Sequence, residues 1–300
     1  MINLQNKYRG CLMGLAVGDC MGVPLEFSKR GTLPKVTEMI GGGPFHLNVG
    51  EWTDDTSMAL CLAHSLIECK GFDPTDQMEK YVVWNRKGYM SSNGRCFDIG
   101  NTCAEALGAY VRSGDPYSGL TNERSQGNGS LMRLAPIPMA YRNNHESLKW
   151  AVRSSKVTHA HPTCYNSCAY LTYLIANTLN GESKETILLN QSLYVGVESV
   201  SMGAYKNKSE SEIKSSGYVI DTLEAALWAF YTTDSFEEGC IKVINLGDDS
   251  DTVGAVYGQL AGAYYGYDAI PKRWAEKIVQ REMILEIADK LLEFNSGKNG

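Results

Sequence analysis

The sequence predicts an all-α protein. Apolar residues recur with the period of a helix along most of the chain, clear alternating strand patterns are missing, and no βαβ pattern occurs. With 300 residues, of which 43% are hydrophobic and 21% charged, the chain can bury a core without disulfide or zinc support. We therefore expect one compact domain over residues 1–300, built of helices packed on helices.

The helical pattern is clearest in residues 253–264. There Val253, Val256, Tyr257 and Leu260 fall at positions i, i+3, i+4 and i+7, which lie on one face of a helix. Weaker patterns of the same period predict the remaining helices. In chain order these are 7–21, 58–69, 76–87, 101–112, 146–156, 164–179, 183–195, 221–231, 235–245 and 273–294.

Two of the predicted helices carry a glycine at every fourth position. The glycines are Gly10, Gly14, Gly18 and Gly22 in the first and Gly254, Gly258, Gly262 and Gly266 in the second. Because each glycine costs a helix about 1 kcal/mol relative to alanine, the repeats indicate a packing requirement. A spacing of four keeps them on one face, where another backbone can approach closely. We expect both helices to be central and buried; the polar Asp19 and Gln259 favour a soluble core over a membrane dimer.

Charge and composition argue against several classes of protein. The net charge of −6 disfavours general binding to nucleic acids or to anionic membranes. The first ten residues lack the apolar core of a signal peptide, and no uninterrupted apolar run of about 18 residues predicts a membrane span. The nine cysteines include no CxxC pair, as expected for buried thiols in a reducing compartment. We expect a cytoplasmic, monomeric protein.

Carboxylates are concentrated at the starts of two predicted helices. Thr53, Asp54 and Asp55 precede the helix 58–69, and the segment 248–252, Asp-Asp-Ser-Asp-Thr, precedes the helix 253–264. Helix capping is one explanation, since aspartate and threonine are preferred at helix starts. Adjacent aspartates exceed what capping requires, and buried carboxylates are unfavourable unless they are paired or bind a cation. The pattern therefore favours a metal site.

The residue types indicate which metal such a site would hold. Aspartate and threonine oxygens suit magnesium, manganese or calcium, whereas zinc prefers histidine or cysteine. Four aspartates would balance two divalent cations, and two threonines would add neutral oxygens. The candidate ligands are Thr53, Asp54, Asp55, Asp249, Asp251 and Thr252. A purely structural calcium site is disfavoured because no EF-hand spacing is present.

Ordered motifs from about residue 8 to 275 resemble those of the ADP-ribosylglycohydrolases, of the type that activates dinitrogenase reductase. The motifs are GCLMGLAVGDCMGVPLEF (10–27), GGGPFHLNVGEWTDDTSMAL (41–60), FDIGNT (97–102), GNGSLMRLAPI (127–137), SSKVTHAHP (154–162), SGYVIDTLEAALWAF (216–230) and NLGDDSDTVGA (245–255). The resemblance implies an all-α fold with a dinuclear magnesium or manganese centre in a cleft. Its Thr-Asp-Asp and Asp-x-Asp-Thr ligand motifs correspond to the six candidate ligands. Asp248 stands where relatives carry glycine and is not expected to be a ligand.

The resemblance also implies two acids beside the metals. Glu26 matches an acid near the bond that is cleaved and would act as a general base or gate the site; otherwise it is a surface acid. Asp98 matches an acid that approaches the leaving group or the ribose; otherwise it caps the helix that follows it.

Three further motifs are expected to contact the ADP-ribose. Gly127, Asn128, Gly129 and Ser130 form a turn whose N–H groups could hold a diphosphate, with Arg133 as a nearby positive charge, although a plain turn is the alternative. His159 lies in the Thr-His motif and is expected to face the substrate, unless it is a buried core histidine. Tyr218 follows a glycine at a position where relatives place an aromatic ring against adenine; a core tyrosine is the alternative.

The resemblance implies a hydrolase that releases ADP-ribose from a modified protein side chain. Arginine is the expected attachment site, and the partners are the ADP-ribosylated protein and ADP-ribose. The same chemistry on serine-linked or small-molecule conjugates is one alternative. A protein that binds ADP-ribose without hydrolysis is another, and the complete set of candidate ligands argues against it.

Overall fold

A computed structural model describes residues 3–143, 146–191 and 194–297. In these residues the secondary structure is helical, and the only β-type pairings are isolated bridges. The predicted all-α class is confirmed. The helices are α1 Leu4–Gly22, α2 Asp54–Glu68, α3 Pro74–Lys87, α4 Asn101–Ser113, α5 Pro136–Tyr141, α6 Ser147–Lys156, α7 Pro162–Leu179, α8 Lys184–Ile187, α9 Glu198–Ser201, α10 Val219–Tyr231, α11 Phe236–Ile244, α12 Ser250–Tyr265, α13 Lys272–Ala275 and α14 Arg281–Gly297.

The centre of the molecule is the antiparallel pair of α1 and α12. Gly14 lies against the backbone of Gly258, and Gly18 lies against that of Gly254. A Cβ at any of these four positions would collide with a carbonyl oxygen of the facing helix. The two glycine-bearing helices are therefore central and buried, as the sequence predicts, and their backbones are in direct contact.

Most predicted helices agree with the structure to within about four residues at each end. The largest difference at a helix start is in α2, which begins at Asp54 and not at residue 58. The Thr53 side chain caps α2 at this point by accepting a hydrogen bond from the Asp55 N–H. The predicted pattern missed α5, whose six residues include two prolines. None of the described helices is long and apolar enough to cross a membrane.

Two predicted helices are wrong in extent. The segment 183–195 is helical only over α8, and the chain then turns so that the Gln191 N–H donates to the Ser201 carbonyl; Ser192 and Leu193 lie outside the described residues. The segment 273–294 divides into α13 and α14. Gln280 adopts a φ of 50° there, and the Val279 N–H donates to Gly50 of a distant loop. In both cases tertiary hydrogen bonds override the apolar period.

All nine cysteines are unpaired, and seven of them are buried. Their burial matches the prediction of small apolar side chains in the core.

Candidate active site

The site lies where the N-terminal ends of α2 and α12 meet the C-terminal half of α1. Asp19 of α1 is fully buried and accepts hydrogen bonds from the Thr53 N–H (3.0 Å), the Thr56 N–H (3.2 Å) and the Thr56 hydroxyl (2.6 Å). The Ser250 hydroxyl donates to the Gly22 carbonyl (2.8 Å). These contacts fix the first turns of α2 and α12 against the same helix.

Five carboxylates converge at this junction. Oxygens of Asp19, Asp55 and Asp251 lie within 4.8 Å of one another, and oxygens of Glu26, Asp98 and Asp251 do the same. Asp251 belongs to both groups and therefore joins them. Buried oxygens of Asp55 (Oδ1), Asp251 (Oδ1) and Glu26 (Oε2) have no hydrogen-bond donor among the described residues. Oxygens that are buried, clustered and without donors are suited to hold a hard cation.

Burial and mutual repulsion disfavour the ionised form of the carboxyl groups in the cluster. Burial, reinforced by neighbouring carboxylates, raises the pKa of Asp55 and Asp251 far above the usual range. Burial also raises the pKa of Asp19 to about 6. Burial and the neighbouring aspartates raise the pKa of Glu26 to about 9 and that of Asp98 to about 8. A bound divalent cation would relieve this repulsion, because its charge compensates the carboxylates.

Helix capping does not explain the acidic pairs. Thr53 is the cap of α2, so Asp54 and Asp55 lie in its first turn, where both are buried. Asp249 occupies the cap position of α12 but makes no capping hydrogen bond; its Oδ2 accepts instead from the Asn128 amide (2.8 Å). The acidic side chains are therefore directed to the site and not to the helix ends.

A cleft of about 340 Å³ opens beside the cluster. Three of the predicted ligands, Asp54, Asp249 and Thr252, line this cleft. Thr53 does not line it; its hydroxyl donates to Asp55 Oδ2 (3.0 Å) behind the first turn of α2. Asp248 is exposed, and that it is not a ligand stays a prediction.

Glu26 and Asp98 both line the cleft, and a carboxylate oxygen of each lies within 4.8 Å of the other. Glu26 is only 6% exposed, so the surface-acid alternative is wrong. Asp98 does not cap the following helix, because Gly100 occupies the cap of α4. Asp98 has a φ of 60°, a left-handed conformation that non-glycine residues rarely adopt, and such strain is common at functional positions.

The turn 127–130 lines the cleft only in part. Gly127, Asn128 and Gly129 face it, but the Asn128 N–H already donates to the Gly217 carbonyl (3.1 Å). The Ser130 hydroxyl lies in the core, where it accepts a hydrogen bond from the Ser155 hydroxyl (2.8 Å). Fewer N–H groups are thus open to a diphosphate than the sequence suggests.

His159 lines the cleft and is buried at 2% exposure. Tyr218 is not a core residue: it is 41% exposed and follows Gly217, which lines the cleft. The expectation that Arg133 reaches the cleft is wrong. Arg133 is fully buried beneath it, and the arginine that lines the cleft is Arg124.

Asp19 is the residue of the cluster that sequence reasoning missed. It lies within the glycine-bearing helix, where it was interpreted only as a polar interruption of a close-packed surface. A carboxylate inside a helix that is expected to be central and buried is the signal that could have identified it, because a buried carboxylate needs partners.

Known proteins resemble the chain over nearly its whole length. The family model described as ADP-ribosylglycohydrolase matches residues 1–299. The ADP-ribosylarginine hydrolase Tri1 of Serratia proteamaculans (strain 568) is 46% identical over 289 residues, which are 95% of this chain and 79% of the relative. The ADP-ribosyl-[dinitrogen reductase] glycohydrolase of Rhodospirillum rubrum is 32% identical over 302 residues, 97% of each protein.

A solved structure described as an ADP-ribosylglycohydrolase-related protein complex has the same fold. Its TM-score is 0.88 at 42% sequence identity, and the match covers 98% of this chain and 100% of the other. The sequence motifs, the all-α fold and the acidic cleft agree with these matches. The chain therefore belongs to the ADP-ribosylglycohydrolase family and is a glycosyl hydrolase.

Proposed function

We propose that the enzyme hydrolyses the bond between ADP-ribose and an arginine side chain of a modified protein, with two divalent cations, magnesium or manganese, at its acidic cluster. The observation that carries the proposal is the cluster itself, whose donor-free oxygens of Asp55 and Asp251 are buried beside a cleft. The choice of arginine is supported by the name of the Serratia relative. We further propose that it acts as a single-domain monomer in the cytoplasm.

The residues present fit the proposed cations. The donors are carboxylate and hydroxyl oxygens, which suit magnesium and manganese. Asp19, Asp55 and Asp251 would hold one cation, and Asp54, Asp249 and Thr252, which line the cleft, would complete the second site with Asp251. When bound, divalent cations of this kind orient substrate hydroxyls, lower the pKa of water and stabilise negative charge.

Glu26 and Asp98 would transfer the protons of the reaction. Hydrolysis breaks the bond between C1 of the ribose and the guanidine nitrogen, with the electron pair leaving on nitrogen, and forms a bond from C1 to a water oxygen. Glu26 would take a proton from the water, and Asp98 would give one to the departing nitrogen, so that arginine leaves as the guanidinium. Oxygens of the two carboxyl groups lie within 4.8 Å of each other, a distance over which the proton would return from Glu26 to Asp98, directly or through a water molecule.

The cleft supplies polar groups for the rest of the ligand. Asn128 is held by hydrogen bonds from its amide to Asp249 (2.8 Å) and to the Thr222 hydroxyl (2.9 Å), which fixes the turn that faces the cleft. Arg124 provides a positive charge at the cleft wall, suited to a diphosphate. Tyr218 offers an exposed ring for the adenine.

The test measures free ADP-ribose released from an ADP-ribosyl-arginine protein with magnesium, with manganese and with EDTA. We expect release that depends on the metal. Asp55→Asn should lose activity by about 100-fold or more, because it removes a proposed ligand. The matched control is Asp248→Asn, which removes an exposed charge one residue from Asp249 and should stay within about twofold of the wild type.

The outcomes separate the alternatives. Release of ADP-ribose from a serine-linked substrate, with none from the arginine-linked one, would overturn the proposed linkage and retain the chemistry. Binding of ADP-ribose without release from either would overturn catalysis. Full activity in EDTA, or in Asp55→Asn, would overturn the role of the cations.

A further inference from the structure

Arg133 is a buried cation with neutral surroundings. It is fully buried, and its guanidinium contacts the Thr158 hydroxyl (2.7 Å), the Ser154 carbonyl (3.4 Å) and the ring of Tyr81, whose centroid lies 4.7 Å from the guanidinium carbon. Two sulfur atoms, Cys103 Sγ (3.8 Å) and Met58 Sδ (3.9 Å), are its remaining contacts among the described residues. Its Nε has no partner among the described residues. A buried charge without a counter-ion is costly, and an apolar side chain would fill the same space at lower cost. Packing alone therefore does not account for an arginine at this position.

The contact with Thr158 connects Arg133 to the cleft. Arg133 Nη2 donates to Thr158 Oγ1, and the same oxygen lies 2.9 Å from Nδ1 of His159. Because a guanidinium only donates hydrogen bonds, the direction of the first contact is fixed. The hydroxyl has one proton of its own, and the imidazole nitrogen is a strong acceptor for it. The other group near this hydroxyl, the Cys103 thiol, is a weak acceptor that already receives Nη1 of Arg133 (3.8 Å).

This direction decides which nitrogen of His159 carries the proton. With Nδ1 accepting from Thr158, the neutral ring has its proton on Nε2. The Nε2 edge faces the turn that lines the cleft: a Cβ would lie 3.5 Å from Nε2 if built on Gly127 and 3.2 Å if built on Gly129. A Cβ on Gly129 would also lie 2.8 Å from Cε1 of the ring. The two glycines thus leave the approach to Nε2 open.

Burial and the charge of Arg133 both keep His159 neutral. Together they lower its pKa to about 3, so the ring stays uncharged across the physiological range. A neutral imidazole has one donor and one acceptor, and only a second group can select between its two tautomers.

We propose that Arg133 is a positioning residue which, through Thr158, holds His159 in the Nε2–H tautomer so that it donates a hydrogen bond to an oxygen of the ligand in the cleft. The acceptor belongs to the ADP-ribose moiety, and that part of the inference rests on the proposed function. The tautomer itself does not depend on it. In the Nδ1–H tautomer the cleft would receive an acceptor nitrogen, which would repel the phosphate oxygens because they only accept hydrogen bonds.

The test records the tautomer directly in the metal-loaded full-length protein. Long-range ¹H–¹⁵N spectra of histidine-labelled protein distinguish the two ring nitrogens. We expect the Nε2–H pattern for His159 in the wild type. Thr158→Val keeps the shape of the side chain and removes the hydroxyl, so the fixed tautomer should be lost. Arg133→Met should also reduce the preference of His159 for the Nε2–H tautomer. If that variant does not fold, Thr158→Val alone tests the inference.

A matched control and a binding measurement complete the design. Thr172 is another buried threonine, and its hydroxyl has no partner, so Thr172→Val removes the same group without touching the site. The dissociation constant of ADP-ribose with magnesium, measured by calorimetry, should rise about tenfold in Thr158→Val and stay unchanged in Thr172→Val. The affinity for manganese alone should be the same in all three proteins.

Two results would overturn the inference. One is an Nδ1–H tautomer or a charged imidazole for His159 in the wild type. The other is a Thr158→Val variant whose tautomer matches that of the wild type. Both can be read in the free protein, so they are distinct from a failure of arginine-linked hydrolysis.

Discussion

Two regions of the α1–α12 pair differ in their interactions: one is a close contact of two backbones, and the other is a cluster of buried carboxylates. Along Gly10–Gly18 and Gly254–Gly262, backbone lies against backbone, and no polar side chain is needed at the contact. Directly after Gly18 and one turn before Gly254, Asp19 and Asp251 of the same helices lie in a cluster of carboxylates. Buried oxygens of Asp55 and Asp251 there have no donor among the described residues. A close-packed region thus holds an electrostatically unfavourable one in place. This division is typical of enzymes, in which the scaffold offsets the cost of the site.

The largest expected effect comes from disrupting the packed end. Gly14→Ala places a Cβ against the carbonyl oxygen of Gly258 and should destabilise the protein by about 3 kcal/mol or more, because neither backbone can move away. The control is Gly108→Ala in α4, where a Cβ would meet only the flexible end of Arg112 (3.3 Å) and helix propensity gains about 1 kcal/mol. Urea unfolding measures both variants. A wild-type midpoint for Gly14→Ala would contradict this account of the interface.

An intermediate effect is expected from pH at the acidic end. In the metal-free protein the folded pKa values of Asp19, Asp98 and Glu26 are about 6, 8 and 9, above the value of about 4 expected in the unfolded chain. The folded state therefore binds more protons than the unfolded chain. The contribution of these three groups to the free energy of unfolding is fully present below about pH 4 and is lost as pH rises through 6 to 9. Other groups that titrate below pH 5 oppose the trend there.

Thermal unfolding from pH 5 to pH 9 checks this expectation. In EDTA the Tm should fall as pH rises, and Glu26→Gln should flatten the decline because it removes the carboxyl with the highest of these values. Added magnesium or manganese should raise Tm more at pH 8 than at pH 5, since a cation binds the deprotonated carboxylates. A metal-free Tm that increases from pH 6 to pH 8 would contradict the proposed crowding.

The smallest effect is expected at the border of the site. Asp248 has a φ of 59°, and its backbone exchanges hydrogen bonds with Phe27 and Ser28 (2.7 Å each). Asp248→Gly relieves the left-handed strain but adds freedom to the unfolded chain, so stability should change by no more than about 0.5 kcal/mol. ADP-ribose release should stay within twofold of wild type. A large loss of hydrolysis would extend the cluster to Asp248.

The sequence predicts those parts of the molecule that depend on local pattern. The glycine spacing identifies α1 and α12, and the adjacent aspartates identify the starts of α2 and α12. Asp19 was missed because the sequence of α1 indicates that its side chain is buried but does not show that it meets the first turn of α2. Arg133 was placed wrongly for the same reason: its direction, into the core and away from the cleft, depends on Tyr81 and Thr158.

The end of the helix at Ile187 also lay beyond local prediction. The apolar period continues past it, but the chain leaves the helix to bond Ser201. The cleft residues Glu26 and Asp98 were identified through family motifs. Their proximity is a feature of the tertiary structure, because the two residues are far apart in sequence and meet only at the cleft.

The pairing of α1 with α12 also bears on how the enzyme is made. The hydrogen bond from Ser250 to Gly22 joins residues 228 positions apart. During synthesis α1 is translated before α12, so its glycine face has no partner until α12 has left the ribosome. Contacts so distant in sequence form slowly. Nascent or prematurely terminated chains that lack α12 therefore contain no assembled acidic cluster, and catalytic competence requires that α12 has been translated and has packed on α1.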